Sequence, residues 1–319
     1  MSITCQWLYN GLQKEKQQVI LVDCRDYDEY EKDHIASSVC MPPELGLNED
    51  GEEDFVDLTE LNTAYFKHGD HFHHYETREQ KYLVVYNDND HNMWIGHVIS
   101  CMDVEGVVKN VQALEEGFQE FKRRYSFLVT SDPNPQSLFT IEGHPFPVEI
   151  NFDSLFLSVS ASQDINPMHI NSLNIDTILH IGVQPTVAGL CTNTNVSFVQ
   201  LHTQENKGVI ATDGCAEEFI TIMESMEAQN KRVLLHSQKQ EEILTLAILY
   251  LLNTKKSLRE SYNIVIQSFW IEGVALDSQY IKWLVQEEIR LLGSASVTEN
   301  EIESGSIVEV TASKYCSLS

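Results

Sequence analysis

RVLLH, residues 232–236, runs into SQKQ (237–240) and then into EEILTLAILYLL (241–252), and this stretch decides the reading of the second half of the chain. The first five residues are a short apolar run with the length and residue types of a buried strand. The last twelve are apolar nearly all round, which predicts a central, buried helix rather than an amphipathic surface one. Between them stand only polar residues. Strand, tight loop and buried helix in that order form an anion cradle, in which loop amides and a helix N-terminus point at one phosphate.

Working outward, strands and helices keep alternating. SLFLSV (154–159), IDTILHIGV (175–183) and FVQLH (198–202) read as strands. AEEFITIMESMEAQN (216–230) has helical spacing through Phe219, Ile220, Ile222, Met223 and Met226, and the segments 257–269 and 278–292 read as further helices. Towards the N-terminus, VILVDCR (19–25) and YLVVY (82–86) read as buried strands, with a short helix over 26–32. ALEEGFQEFKRRYSFL (113–128) has a helical pattern, and SDPNPQ (131–136) combines two prolines with turn formers, which marks a linker. The predicted fold class is α/β, with two domains, each a mainly parallel sheet flanked by helices. The expected boundaries are a domain over 1–128, a linker over 129–145, a second domain over 146–293, and a Ser- and Glu-rich tail over 294–319 that is expected to be disordered.

Composition narrows the function classes. The chain has 319 residues with 21 Lys and Arg against 48 Asp and Glu, a formal charge of −27. Such a field repels nucleic acid and anionic lipid, so no nucleic-acid partner is expected. No apolar run is long enough for a membrane helix, and residues 1–16 lack the layout of a secretory signal. The seven cysteines, at 5, 24, 40, 101, 191, 215 and 316, form no CxxC pair, so reduced thiols and a cytoplasmic location are expected.

The segment around 232–252 resembles dual-specificity phosphatases, whose signature is His-Cys-x5-Arg between this strand and this helix. The resemblance extends over HPFPVEINFDSLFLSVSASQD, SLRESYNIVIQSF and DSQYIKWLVQEEIRLL, in the family's order. In that family the thiolate attacks phosphorus, the Arg forks onto two phosphate oxygens, and a Gly lets the loop amides converge. Mapped by position, His236 matches the His, Ser237 falls at the Cys, Gln240 at the Gly and Ile243 at the Arg. Nothing nearby in sequence would activate a Ser hydroxyl, and Ile243 cannot neutralise a phosphate. Glu241 and Glu242 stand where phosphate would sit; they suit the helix dipole and would repel a dianion. The general-acid position falls at Glu205, which has no work without a nucleophile and is expected to be structural.

LVDCRDYDEYEKDHIASSVCMP resembles the rhodanese-like signature through Asp23 and Arg25, Glu29 and Tyr30, and Asp33-His34-Ile35, with Asp33 in place of a Gly. An active member needs a Cys just after the central strand; here that position is Asn87. Asp23 and Arg25 are expected to form a structural pair. A rhodanese-like domain followed by a dual-specificity domain is the plan of the MAP kinase phosphatases, where a basic cluster docks kinases; the matching region here is acidic and His-rich, and Arg123 and Arg124 are expected to be solvated. The chain resembles the serine/threonine/tyrosine-interacting-like pseudophosphatase group.

That resemblance implies no catalytic residues, no cofactor and no metal, and a protein-binding scaffold or regulator of phosphatase and kinase signalling whose partners are signalling proteins such as kinases or phosphatases. The alternatives are a phosphoprotein-binding competitor of active phosphatases, or a residual protein phosphatase. His68, His71, His73 and His74 crowd one loop, but without Cys partners or helical spacing a solvated loop is expected. The terminal Cys316-Ser-Leu-Ser fits a prenylation pattern; a membrane partner is expected only if Cys316 is lipidated. Trp94, Trp270 and Trp283 are expected in cores. The oligomeric state is left open.

Overall fold

The computed structural model describes residues 2–13, 19–47, 53–55, 78–79, 81–88, 93–132, 140–141, 144–151, 153–159, 165–182, 196–201, 215–269, 275–304 and 307. The chain divides into two compact units, Met1–Pro145 and Phe146–Ser319.

The first unit is built on five parallel strands: β1 (Ser2–Ile3), β2 (Val19–Asp23), β3 (Val39–Cys40), β4 (Tyr82–Tyr86) and β5 (Asn110–Leu114), in the order β1-β5-β4-β2-β3. All five residues of β2 are buried, as a strand covered on both faces requires. Helices Cys5–Leu12, Tyr27–Lys32, Met93–Glu105 and Gly117–Arg124 accompany the sheet. The first is started by Thr4, whose hydroxyl accepts from the Trp7 amide at 3.2 Å. Ile20, Val22, Leu83 and Val85 form a core with Trp94 and Val98.

Two expectations for this unit are corrected. Ala113 and Leu114 belong to β5 and not to a helix, because they pair with β1. The expected linker begins inside the unit: Val129–Thr130 pairs antiparallel with His34–Ile35.

The second unit has β6 (Val148–Asn151), β7 (Leu155–Val159), β8 (Thr177–Ile181), β9 (Ser197–Leu201) and β10 (Val233–Ser237), in the order β6-β7-β10-β8-β9. Only the β6–β7 pair is antiparallel. The strand β10 therefore lies at the centre of the sheet, with the helix Gln240–Asn253 following at its carboxyl end. Residues 242–252 of that helix are all buried, because it packs against the sheet and against three other helices, Cys215–Ala228, Leu258–Ser268 and Ser278–Leu292. Ser257 caps one of these by accepting from the Glu260 amide at 3.2 Å. Gly293, at φ +83°, ends another in the left-handed conformation.

The tail is in part folded, contrary to the expectation of disorder over 294–319. Glu299–Ser304 is a helix, and Val297, Ile302 and Ile307 are buried in the core of the unit. Arg259 reaches the Ser296 carbonyl at 3.0 Å and the Glu301 carboxylate at 2.7 Å. The Ser and Glu content suggested a solvated chain; three apolar residues spaced along it are enough to dock it. Among the described residues, no helix is long and apolar enough to cross a membrane.

Candidate functional site

The carboxyl end of a central parallel strand, at the start of the following helix, is where an open α/β sheet offers its ligand crevice. In the second unit that place is the turn after β10. Only Gln238 and Lys239 lie between the end of the strand at Ser237 and the start of the helix at Gln240. Two residues leave little backbone to curl around an anion.

The turn is filled from within. Ser237 is buried and its hydroxyl donates to Glu242 Oε2 at 2.8 Å, while the Lys239 amide donates to Ser237 Oγ at 3.1 Å. Lys239 Nζ reaches Glu242 Oε1 at 3.2 Å. With Lys239 as the residue before the first helical turn, Glu242 is the third helical residue, the position from which a glutamate reaches back over a helix start. Here it reaches the end of the preceding strand. The carboxylate thus satisfies the hydroxyl that occupies the expected nucleophile position, and it places a negative charge where an incoming phosphate would bring another. Glu241, by contrast, has its carbonyl taken by the Thr245 hydroxyl at 2.6 Å and is half-buried.

Ile243 is fully buried in the hydrophobic core with Leu244, Leu246 and Ala247. It faces packing and not the turn, so the expected Arg position contributes an apolar contact. Gln240 opens the helix and is half-buried. His236 is fully buried on β10, and its Nδ1 lies 3.0 Å from Nδ1 of His180 on β8, the residue opposite it in the strand register. One of the two nitrogens must carry the hydrogen and the other accept it. Burial, and then the neighbouring His180, push the His236 pKa down to about 4. Its Nε2 is buried without a hydrogen-bond partner. This histidine pair was not foreseen: strand order in a sheet is not visible in a sequence, and only the order of β10 beside β8 brings the two rings together. Glu205, Trp270, the histidines at 68, 71, 73 and 74, and Cys316 lie outside the described residues. No cluster of metal-ligating side chains occurs among the described residues.

In the first unit, Asn87 follows β4, is buried, and gives its backbone carbonyl to the Phe118 amide at 2.8 Å. Gly117, at φ +73°, allows that approach: a Cβ there would meet the Asn87 carbonyl oxygen at 3.0 Å. Asp23 and Arg25 form the expected pair. Both are buried, with Nη2 donating to Asp23 Oδ2 at 2.6 Å and Nε to Oδ1 at 3.0 Å. Nη2 also donates to the Asp33 carbonyl at 2.6 Å, and the guanidinium carbon sits 3.6 Å from the Phe118 ring centre. This Arg is committed to structural partners.

The expectation that Arg123 and Arg124 are solvated holds for the first alone. Arg124 is buried and paired with Glu120 at 2.6 Å and Glu116 at 3.3 Å, so the acidic side chains of its own helix region neutralise it. Trp94 is fully buried and donates to the Met41 carbonyl at 2.8 Å; Trp283 packs against the core of the second unit.

Fold and site together define a class: a two-unit α/β protein whose second unit carries a strand-to-helix turn closed by its own carboxylate. Comparison with known proteins sharpens this. Residues 4–124 match the rhodanese-like domain family. Among solved structures, the chain is similar to a variant of human DUSP28, with 17% identity over 47% of this chain and 98% of that one and a TM-score of 0.39. It is similar to PTPMT1, with 14% identity over 46% of this chain and 97% of that one and a TM-score of 0.39. A third is a leucine rich repeat and phosphatase domain containing protein from Entamoeba histolytica, with 19% identity over 46% and 92% of the two chains and a TM-score of 0.37. No curated protein matches the chain.

Proposed function

We propose that this chain is a catalytically inactive pseudophosphatase that serves as a protein-binding scaffold or regulator of phosphatase and kinase signalling. The observation that carries the reading is the hydrogen bond from the Ser237 hydroxyl to Glu242 Oε2 at 2.8 Å. A nucleophile needs a base that can take its proton and an open approach to phosphorus. Ser237 is instead buried, and its hydroxyl is bonded to a carboxylate whose negative charge repels a phosphate dianion.

Four further observations agree with it. A Ser hydroxyl is far harder to ionise than the thiol that this chemistry uses. Ile243 supplies no fork for phosphate oxygens, and its side chain is committed to the core. His236 is neutral and hydrogen-bonded to His180, at the strand position just before Ser237. In the first unit, the expected cysteine position is Asn87, whose carbonyl is used to hold Phe118.

The test is turnover of an aryl phosphate and of a phosphotyrosine peptide by the purified chain. No turnover above the buffer blank is expected. Turnover that disappears in Ser237→Ala would overturn the proposal. Calorimetry with inorganic phosphate separates the phosphoprotein-competitor reading: saturable binding in the millimolar range or tighter would replace a closed turn with an occupied one.

A further inference from the structure

The helix Met93–Glu105 carries a second juxtaposition that the phosphatase-like reading does not use. Cys101 and His97 stand one turn apart, and Cys101 Sγ lies 3.5 Å from His97 Nε2. Both residues are half-buried. The imidazole packs beside two aromatic rings that also touch each other: Trp94, stacked at 5.5 Å between ring centres, and Phe55, tilted at 5.3 Å, with 5.2 Å between Phe55 and Trp94. Trp94 is itself fixed by its hydrogen bond to the Met41 carbonyl. We infer that Cys101 is a redox-modification site, a thiol oxidised by hydroperoxides to the sulfenic acid with His97 taking its proton.

The reasoning starts from what a cysteine needs to react. The thiolate attacks, so a reactive cysteine needs a proton acceptor within reach and an open sulfur. The other four described cysteines offer the reverse. Cys24 and Cys5 are fully buried, and burial with neighbouring carboxylates pushes both thiols up. Cys40 and Cys215 are each pushed up to about 12, again by burial first and then by nearby acidic groups. Cys101 alone among the described cysteines has an imidazole nitrogen at its sulfur.

The aromatic rings fix the imidazole in place. Asp103 and Glu105 carry negative charge on the same helix, and Glu105 is engaged by Arg78. The i, i+4 spacing of the two residues is visible in the sequence; what the sequence does not reveal is that Nε2 of the ring lies beside the sulfur.

The step balances. The Cys101 sulfur attacks one oxygen of the hydroperoxide, the S–O bond forms and the O–O bond breaks. The departing oxygen takes the proton held on His97 and leaves as water or an alcohol. Sulfur is oxidised and the peroxide reduced.

The experiment treats the whole chain with hydrogen peroxide, traps sulfenic acid with dimedone, and quantifies each cysteine by peptide mass spectrometry. Cys101 is expected to be trapped about ten-fold faster than Cys5, Cys24, Cys40 or Cys215, and faster in the folded chain than after unfolding in urea. An accessible but ordinary thiol would show the opposite order. His97→Ala is expected to slow trapping at Cys101, and added imidazole to restore part of the rate, which a packing role would not allow. If His97→Ala does not fold, the folded-against-unfolded comparison on the native chain still decides. Faster trapping of Cys101 in the unfolded chain, or an unchanged rate in folded His97→Ala, overturns the inference.

Discussion

Glu242 is a charged residue with almost no exposure, so its removal and its neutralisation should have different consequences. Glu242→Ala leaves the buried Ser237 hydroxyl without its acceptor, an omission that costs about 1–3 kcal/mol. Glu242→Gln keeps an oxygen that can accept from Ser237 and gives up only the contact with Lys239, whose side chain is 71% exposed and whose ion pair is therefore screened. We expect Gln to lie within about 0.5 kcal/mol of the native chain and Ala to fall well below it, measured as urea midpoints. Equal losses would mean that the charge, and not the hydroxyl acceptor, holds the turn.

His236 makes a second residue-scale prediction, and its sign follows from the direction of its shift. In the unfolded chain its pKa returns to the ordinary 6.5; in the folded chain burial holds it at about 4. Between these values the unfolded state binds a proton that the folded state refuses, so stability falls as the pH is lowered through this window and is fully present above it. The shift corresponds to roughly 3 kcal/mol. Amide exchange of the Val233–Ser237 strand, followed from pH 7 to pH 4, should show this loss. His236→Phe, which keeps the burial and removes the titration, should flatten the profile.

At the scale of elements, the helices and strands around the turn were legible because their signals are physical and local. RVLLH is short and apolar, EEILTLAILYLL is apolar on every side, and both became what those patterns demand. What escaped was set by pairing across the sheet and by burial of sparse apolar residues. The meeting of His180 and His236 depends on strand order. The closing of the turn depends on a side chain folding back rather than outward, so Glu242 was foreseen as a charge repelling phosphate and not as the partner of Ser237. The segment 294–307 escaped because a few isoleucines and valines are diluted among Ser and Glu. That last difference is testable. Ending the chain at Gly293 would uncover the sites of Val297, Ile302 and Ile307 and free Glu288 Oε2 from the Ser296 amide it accepts at 2.8 Å. Each buried aliphatic side chain is worth about 1.5–3 kcal/mol, so a loss of at least about 3 kcal/mol in the second unit is expected by denaturation. A truncation without effect would return this segment to the solvated tail that its composition suggests.

The same burial limits how the turn could be reopened. Replacing Ile243 by Arg puts a cation among Leu244, Leu246 and Ala247, and an uncompensated buried charge costs about 3–5 kcal/mol. Gln240→Gly, at the half-buried opening of the helix, should cost about 1 kcal/mol or less. The two substitutions measured side by side by urea unfolding should differ by several-fold. If Ile243→Arg is tolerated as well as Gln240→Gly, the side chain has room to turn towards the site, and the loss of phosphate chemistry rests on Ser237 and Glu242 alone.

At the scale of the whole molecule, each unit has a core of its own: Ile20 to Val111 contribute to one, and Ile150 to Ile307 to the other. A chain made of such units carries a formal charge of −27 at neutral pH, and like charges within a compact unit repel. Asp23 with Arg25, both buried, and the buried Arg124 with the half-buried Glu120 are pairs that solvent ions reach less than they reach exposed carboxylates. Added salt should therefore relieve repulsion while leaving those pairs largely in place. The expected outcome is a higher unfolding midpoint in 0.5 M sodium chloride than at about 0.02 M, since the screening length drops from tens of ångströms to a few. The gain should appear in a fragment spanning 146–319 as well, which has its own core and should fold alone. A midpoint that falls with salt would show that exposed ion pairs outweigh self-repulsion, and the excess negative charge would then be carried where it costs the fold nothing.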